Sequence, residues 1–159
     1  MAEIVTMGEI MLRLSPPEHQ RFIQATSFDI NYGGSEGNIA VCLSNYGHNV
    51  GYITKLPKNE IGECVIATLQ KYGVDCSAIT RGGNRLGIYF LENGSSVRPS
   101  SVIYDRAGSS MAESTVDDFD FETILKDIKW FHTSGITPAL NKKVAEATKK
   151  AMIIAKKNG

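Results

Sequence analysis

Few residues in this chain have the types and spacing that chemistry requires, and the densest group is Tyr32-Gly33-Gly34-Ser35-Glu36-Gly37-Asn38. Two glycines directly ahead of a helix let backbone approach a ligand closely, because no Cβ intervenes and helix-terminal amides are free to donate. With Ser35 as N-cap, Asn38 falls in the first helical turn, where its amide can donate and accept toward whatever lies over the glycines. The same spacing also suits a tight turn that packs a helix against its neighbour, and the residues alone leave both readings open. A second glycine-rich stretch, Gly82-Gly83-Asn84-Arg85-Leu86-Gly87, has the outer glycine spacing of a Walker loop. Ile88 stands where a lysine must reach the phosphates, so that reading is excluded.

His19, His48 and His132 have no metal-ligand spacing between them, and none is set to act as base for a nucleophile. Cys42, Cys64 and Cys76 lie 22 and 12 residues apart with no C-x-x-C pair, and are expected to be buried, reduced thiols. The chain has 159 residues, with 17 basic and 17 acidic side chains in balance. That balance gives no electrostatic footprint for nucleic acid or an anionic membrane. No apolar run approaches the roughly 20 residues needed to cross a bilayer, and Met1-Ala2-Glu3-Ile4-Val5 does not open a secretory leader. A cytoplasmic protein of one domain, or part of one, is expected.

The elements that must position these residues alternate between two hydrophobic periods. Ile4 to Leu14 is an apolar run broken at Gly8-Glu9 and stopped by Pro16-Pro17, which suits the first strand of a buried sheet with Glu9 at its end. Ile39, Cys42, Leu43 and Tyr46 have the spacing of an amphipathic helix, capped at Gly47. Val50 to Leu56 reads as a strand; Ile61, Val65, Leu69 and Tyr72 predict a second helix capped at Gly73; Ser77 to Thr80 is β-prone. This punctuation favours a wound α/β sheet. Leu86 to Glu92 and Ser101 to Asp105 read as a hairpin around Asn93-Gly94-Ser95-Ser96, and Lys129 to Thr133 as a short strand. Asn141 to Lys157 predicts a helix with Val144, Ala147, Thr148, Ala151, Ile154 and Ala155 on one side. Beside them Lys142, Lys143, Lys149, Lys150, Lys156 and Lys157 form a stripe, either a solvated face or an anion-binding surface. A following strand is expected after Asn158-Gly159, as if the chain were cut at a helix-to-strand turn.

Gly33-Gly34-Ser35-Glu36-Gly37-Asn38-Ile39-Ala40, followed by Leu43 and Gly47, resembles the amino-terminal signature of the PfkB/ribokinase family of sugar kinases. The likeness extends through Met7-Gly8-Glu9, Lys55 to Gly62, Tyr72-Gly73-Val74-Asp75 and Ser134 to Leu140. Gly87-Ile88-Tyr89-Phe90, Val102 to Ser110 and Gly135-Ile136-Thr137 are most similar to the 2-keto-3-deoxygluconate kinases within that family. The resemblance implies a Rossmann-like α/β ribokinase fold, here partial, with a small β-sheet lid formed by strands around 15–35 and 86–106. It implies phosphorylation of the 6-hydroxyl of a sugar acid by ATP with Mg2+, and a homo-oligomer joined through the lid.

A sugar acid carries a carboxylate, which the planar donor fork of Arg106 can pair bidentately, while Tyr89 and Tyr104 offer hydroxyls and ring faces to a polyol. Taken alone, Arg106 would serve as a surface ion-pair partner of Asp105 or a neighbour, and each tyrosine as a half-buried strand residue. By the resemblance, Gly33, Gly34, Asn38, Tyr89, Tyr104, Arg106 and Ile136 contact substrate. Glu9 stands where the wider family often has aspartate; it either hydrogen-bonds a substrate hydroxyl or simply ends the strand. The family's carboxy-terminal Asp-Thr-x-Gly-Ala-Gly-Asp motif, which supplies the base and the anion-stabilising loop, does not occur in these residues. The expectation is therefore that 1–159 is the sugar-binding part of such a kinase. Alternatives are a fructokinase, a tagatose kinase or a 5-dehydro-2-deoxygluconate kinase, or a non-catalytic α/β binding module.

Overall fold

The computed structural model describes residues 2–159. Along the chain it has β1 (Ile4–Met7), β2 (Met11–Ser15), β3 (Asp29–Gly33), α1 (Ser35–Asn45), β4 (Val50–Ile53), β5 (Lys55–Leu56) and α2 (Glu60–Lys71). It continues with β6 (Thr80–Arg81), β7 (Ile88–Glu92), β8 (Ser101–Asp105), a 3-10 turn (Val116–Asp118), α3 (Phe121–Ile124), β9 (Trp130–His132) and α4 (Lys142–Lys157).

The central sheet is parallel, in the order β4-β1-β9. β1 and β4 are covered on both faces, as the strands of a layered parallel sheet are, with Thr6 the one polar side chain of β1. On one side Ala40, Tyr52, Leu56, Val65 and Leu69 form a cluster beneath α1 and α2. On the other, Val5, Met7 and Ile53 pack with Phe121, Leu125, Val144, Ala147, Ala151 and Ile154 beneath α3 and α4. The α/β expectation holds. A second sheet, in the order β3-β2-β7-β8, stands apart as a lid, with β2 parallel to β7 and antiparallel to β3.

Several local expectations are corrected. The run Ile4 to Leu14 is two strands in two sheets: Gly8-Glu9-Ile10 carries the chain from β1 in the core to β2 in the lid. Val50 to Leu56 likewise divides at Thr54, because β5 pairs with β6 rather than with β1. The β-prone stretch Ser77 to Thr80 yields only Thr80–Arg81. The hairpin loop runs on to Ser100, closing on itself through Ser95 and Arg98. Neither the 3-10 turn nor α3 was expected; each is one turn long, too short to show a period.

In α1 the buried residues are Glu36, Gly37 and Ala40, whereas Cys42 and Tyr46 are exposed. Small residues bring this helix close to Tyr52, so its contact face carries little hydrophobic signal. Its N-cap is Gly34, in extended backbone, and not Ser35. The cysteines are free, but Cys42 and Cys64 are exposed and only Cys76 is partly covered. The positive φ of Gly47 and Gly73 confirms both helix stops. Asn141 caps α4 by accepting from the amides of Lys143 and Val144, and the six lysines of that helix are all exposed.

Candidate functional site

The site forms where the lid meets the layered core. Glu9 is the middle residue of the three that cross between them, and its side chain is 3% exposed. Its neighbours are glycines because it is held so close: a Cβ on Gly34 would stand 2.1 Å from the Glu9 carbonyl oxygen, and one on Gly87 2.9 Å from its Oε1. Arg106, just past β8, donates from Nε to Glu9 Oε2 at 2.9 Å and from Nη2 to the same oxygen, while Ser109 Oγ donates to Oε1. Both carboxylate oxygens are thus engaged within the protein. Of the ion-pair partners that Arg106 taken alone would have, Asp105 or a neighbour, it takes Glu9; Arg85 grips Asp105, with two bonds of 2.8 Å, and holds that carboxyl below its usual range.

Arg106 lies 5.7 Å from the centroid of the Tyr104 ring, within cation–π range. Tyr104 and Tyr89 are direct cross-strand partners, ring centroids 6.0 Å apart. The Tyr89 hydroxyl reaches toward α1, 3.3 Å from where a Gly33 Cβ would sit, with Asn38 Oδ1 at 3.6 Å from the same point. The loop after β9 brings Ser134 and Ile136 to the opposite wall. Together these enclose a cleft of about 410 Å³. All eight residues singled out from the sequence border it: Glu9, Gly33, Gly34, Asn38, Tyr89, Tyr104, Arg106 and Ile136. Met11, Ser35 and Ser134 complete the lining.

The arrangement differs from the expected one in two respects. Glu9 does more than end a strand: it seats Arg106 and accepts from Ser109 while bordering the cleft. That seat occupies the Nε–Nη2 edge of the guanidinium, and Nη1 has no protein partner among the described residues. The chemistry on offer is recognition: hydroxyls and an amide for a polyol, a stacked cation for an anion, and no free base. Nor do the described residues suit Mg2+. No cluster of three His, Cys, Asp or Glu is present among them, and the carboxylate bordering the cleft is committed. Two residues that matter here escaped the sequence reading, Ser109 and Glu36. Each was quoted only as a letter in a longer match, although a charged residue at the second position of a glycine-flanked helix was a signal available without the structure.

The model of the "pfkB family carbohydrate kinase" matches residues 1–159. A 2-dehydro-3-deoxygalactonokinase of Haloferax volcanii is 40% identical over 147 residues, covering 92% of this chain and 46% of the relative. A 5-dehydro-2-deoxygluconokinase of Clostridium perfringens is 35% identical over 160 residues, covering 99% of the chain and 46% of the relative. Among solved structures, a 2-dehydro-3-deoxygluconokinase from Thermotoga maritima superposes with a TM-score of 0.97 at 50% identity, over 100% of this chain and 49% of that one. The chain thus spans about half the length of the proteins it matches.

Proposed function

Because the chain belongs to the pfkB family of carbohydrate kinases, we propose that it forms the sugar-binding half of an enzyme that phosphorylates a sugar acid, 2-keto-3-deoxygluconate (2-dehydro-3-deoxygluconate), on its 6-hydroxyl. The observation that carries this reading is Arg106, stacked on Tyr104, anchored on Glu9 and bordering the cleft with Nη1 unpartnered. A neutral ketose would leave the Nη1 edge without an anionic partner beyond Glu9; a carboxylate would meet it with charge-assisted hydrogen bonds. Tyr89, Asn38, Gly33, Gly34 and the backbone at Ile136 would hold the hydroxyls. ATP with Mg2+ would supply the phosphoryl group from residues other than these, and the work of this part is to hold the acceptor hydroxyl in place.

A second substrate reading, 5-dehydro-2-deoxygluconate, is favoured by the similarity to the clostridial enzymes of that name. It is likewise a sugar acid and would use the same arginine. Steady-state kinetics of the full-length protein decide between these and the neutral sugars. A kcat/KM for 2-keto-3-deoxygluconate at least tenfold above that for fructose, lost in Arg106→Ala, is expected; equal values would sink the assignment.

We also propose that the protein is a cytoplasmic homo-oligomer joined through the lid. On the lid face opposite Tyr89 and Tyr104, Ile30, Leu14, Phe90 and Ile103 are cross-strand neighbours over all four strands, with Ile30 62% and Ile103 54% exposed. An apolar row of that length is typical of a contact surface. Among the described residues no helix is long and apolar enough to cross a membrane.

A further inference from the structure

Glu36 is the residue of the signature stretch to which the binding reading gives no task. It occupies the second position of α1, wholly buried, where an ionisable group is costly unless well bonded. Its Oε1 accepts three hydrogen bonds, from the Ser134 amide at 2.9 Å, Ser134 Oγ at 2.6 Å and Thr137 Oγ1 at 2.8 Å. Ser134 Oγ in turn accepts from the Ile136 amide at 3.3 Å. Among the described residues, every hydrogen bond from Ser134–Thr137 to another element ends on this one oxygen. At its other end Glu36 is fixed to the core: Thr6 Oγ1 donates to its carbonyl at 3.0 Å.

The second oxygen, Oε2, is buried with no partner. It fills the space beside Gly8, where a Cβ would lie 2.1 Å away. The Gly8 carbonyl accepts from the Tyr52 hydroxyl at 2.9 Å, and that phenol's pKa is pushed up, first by burial and then by the Glu36 charge. Gly8, one residue before Glu9, is therefore the socket for the Glu36 carboxylate.

From this geometry we infer that Glu36 is a positioning residue for the cleft. It fixes the Ser134–Thr137 loop against the amino terminus of α1 and so sets the distance of Ile136 from Gly34 and Asn38 across the ligand. The inference rests on the proposed sugar-acid site for its ligand, but not for its local geometry. A carboxylate suits the task because one small acceptor must satisfy three donors at once, and charge-assisted bonds are roughly twice as strong as neutral ones.

Two measurements on the full-length protein test it. In Glu36→Ala the KM for the sugar acid is expected to rise at least about twentyfold while the KM for ATP stays within about twofold; in Glu36→Gln, which keeps an acceptor, the sugar KM stays within about fivefold. In hydrogen exchange, Glu36→Ala is expected to lose protection at the Ser134 amide while β1 and β4 keep theirs. Unchanged sugar KM in Glu36→Ala, or parallel loss of both KM values and of core protection, would overturn the inference. If the wild type turns over no sugar acid, the substrate reading fails and exchange alone decides, with a still-protected Ser134 amide overturning the role. Should Glu36→Ala not fold, Ser134→Ala with Thr137→Val removes the donors instead. It is expected to raise the sugar KM at least about fivefold with ATP unaffected, and a wild-type sugar KM would again overturn the role.

Discussion

Glu9 and Arg106 make the ion pair that borders the cleft, and their coupling decides what a substitution at either would do. Arg106→Lys keeps the charge but cannot keep two bonds to one carboxylate oxygen while stacking on Tyr104, so it is expected to weaken sugar-acid binding about tenfold and to leave neutral ketoses almost unaffected. Arg106→Ala goes further: it removes the cation from a Glu9 side chain that is 3% exposed, and calorimetry of sugar-acid binding is expected to show a loss on the order of 2–5 kcal/mol, with a lower Tm as well. The tyrosines differ in kind. Tyr104 is 61% exposed, so Tyr104→Phe, and Tyr89→Phe beside it, is expected to reduce affinity for the sugar with Tm nearly unchanged. A fall in Tm without change in affinity would make them packing residues only. Cysteine reactivity gives an independent check of local burial: burial first, then the neighbouring Asp75 carboxylate, pushes the Cys76 thiol up to about 11. Alkylation mapped by mass spectrometry near pH 8 is expected to reach Cys42 and Cys64 at least roughly tenfold faster than Cys76, because the thiolate is the reacting form.

Among the elements, the 3-10 turn at Val116–Asp118 locks the β5–β6 pair to the core through a single aspartate. Asp118 accepts from Lys55 Nζ at 2.6 Å and from the Thr115 amide at 2.8 Å, and Thr80 Oγ1 donates to its carbonyl at 2.7 Å. Burial pushes its carboxyl up, but the Lys55 and Thr115 bonds outweigh this and hold it below the ordinary 3.8. The folded pKa being the lower one, the stabilisation is complete above about pH 4 and lost as pH falls through the folded value. Asp118→Asn is expected to cost about 1 kcal/mol at pH 7, and the gap in Tm to close as pH falls below 3.8 through the folded value. Neither this turn nor α3 was legible in the sequence, since a single turn fixed by side-chain hydrogen bonds has no hydrophobic period to read. What was legible had period or punctuation: α4 with its apolar side and Asn141, both helices stopped by glycine, the β7–β8 hairpin. The cleft residues were found by a different route, because Gly34, Asn38, Tyr89 and Arg106 are linked by a signature rather than by spacing along one element. The use of Glu9 was not readable at all; its partner lies 97 residues away, and only folding brings the two together.

At the scale of the molecule, the described core leaves apolar surface open on one flank. Among the described residues β9 is paired only with β1, Trp130 is 64% exposed, and Met152 and Ile153 on α4 are 53% and 57% exposed. A sheet edge beside exposed apolar side chains invites pairing with another chain. A polypeptide of residues 1–159 alone is therefore expected to associate in light scattering and to melt broadly. Assayed with ATP, Mg2+ and the sugar acid it is expected to give no turnover, and turnover surviving removal of contaminating kinases would show that these residues contain a whole active site. The lid has a different relation to the rest. It meets the core at four crossings, Gly8–Ile10, Gly33–Gly34, Leu86–Gly87 and Arg106–Ser109, and each brings residues to the cleft or against Glu9. Its far rim, residues 16–28 and 93–100, makes no hydrogen bond to them among the described residues, and Val97 there is 99% exposed. Residues added along that rim are therefore expected to leave the ligand-contacting groups in place, whereas one residue gained or lost at a crossing would put the lid out of register with the floor beneath it.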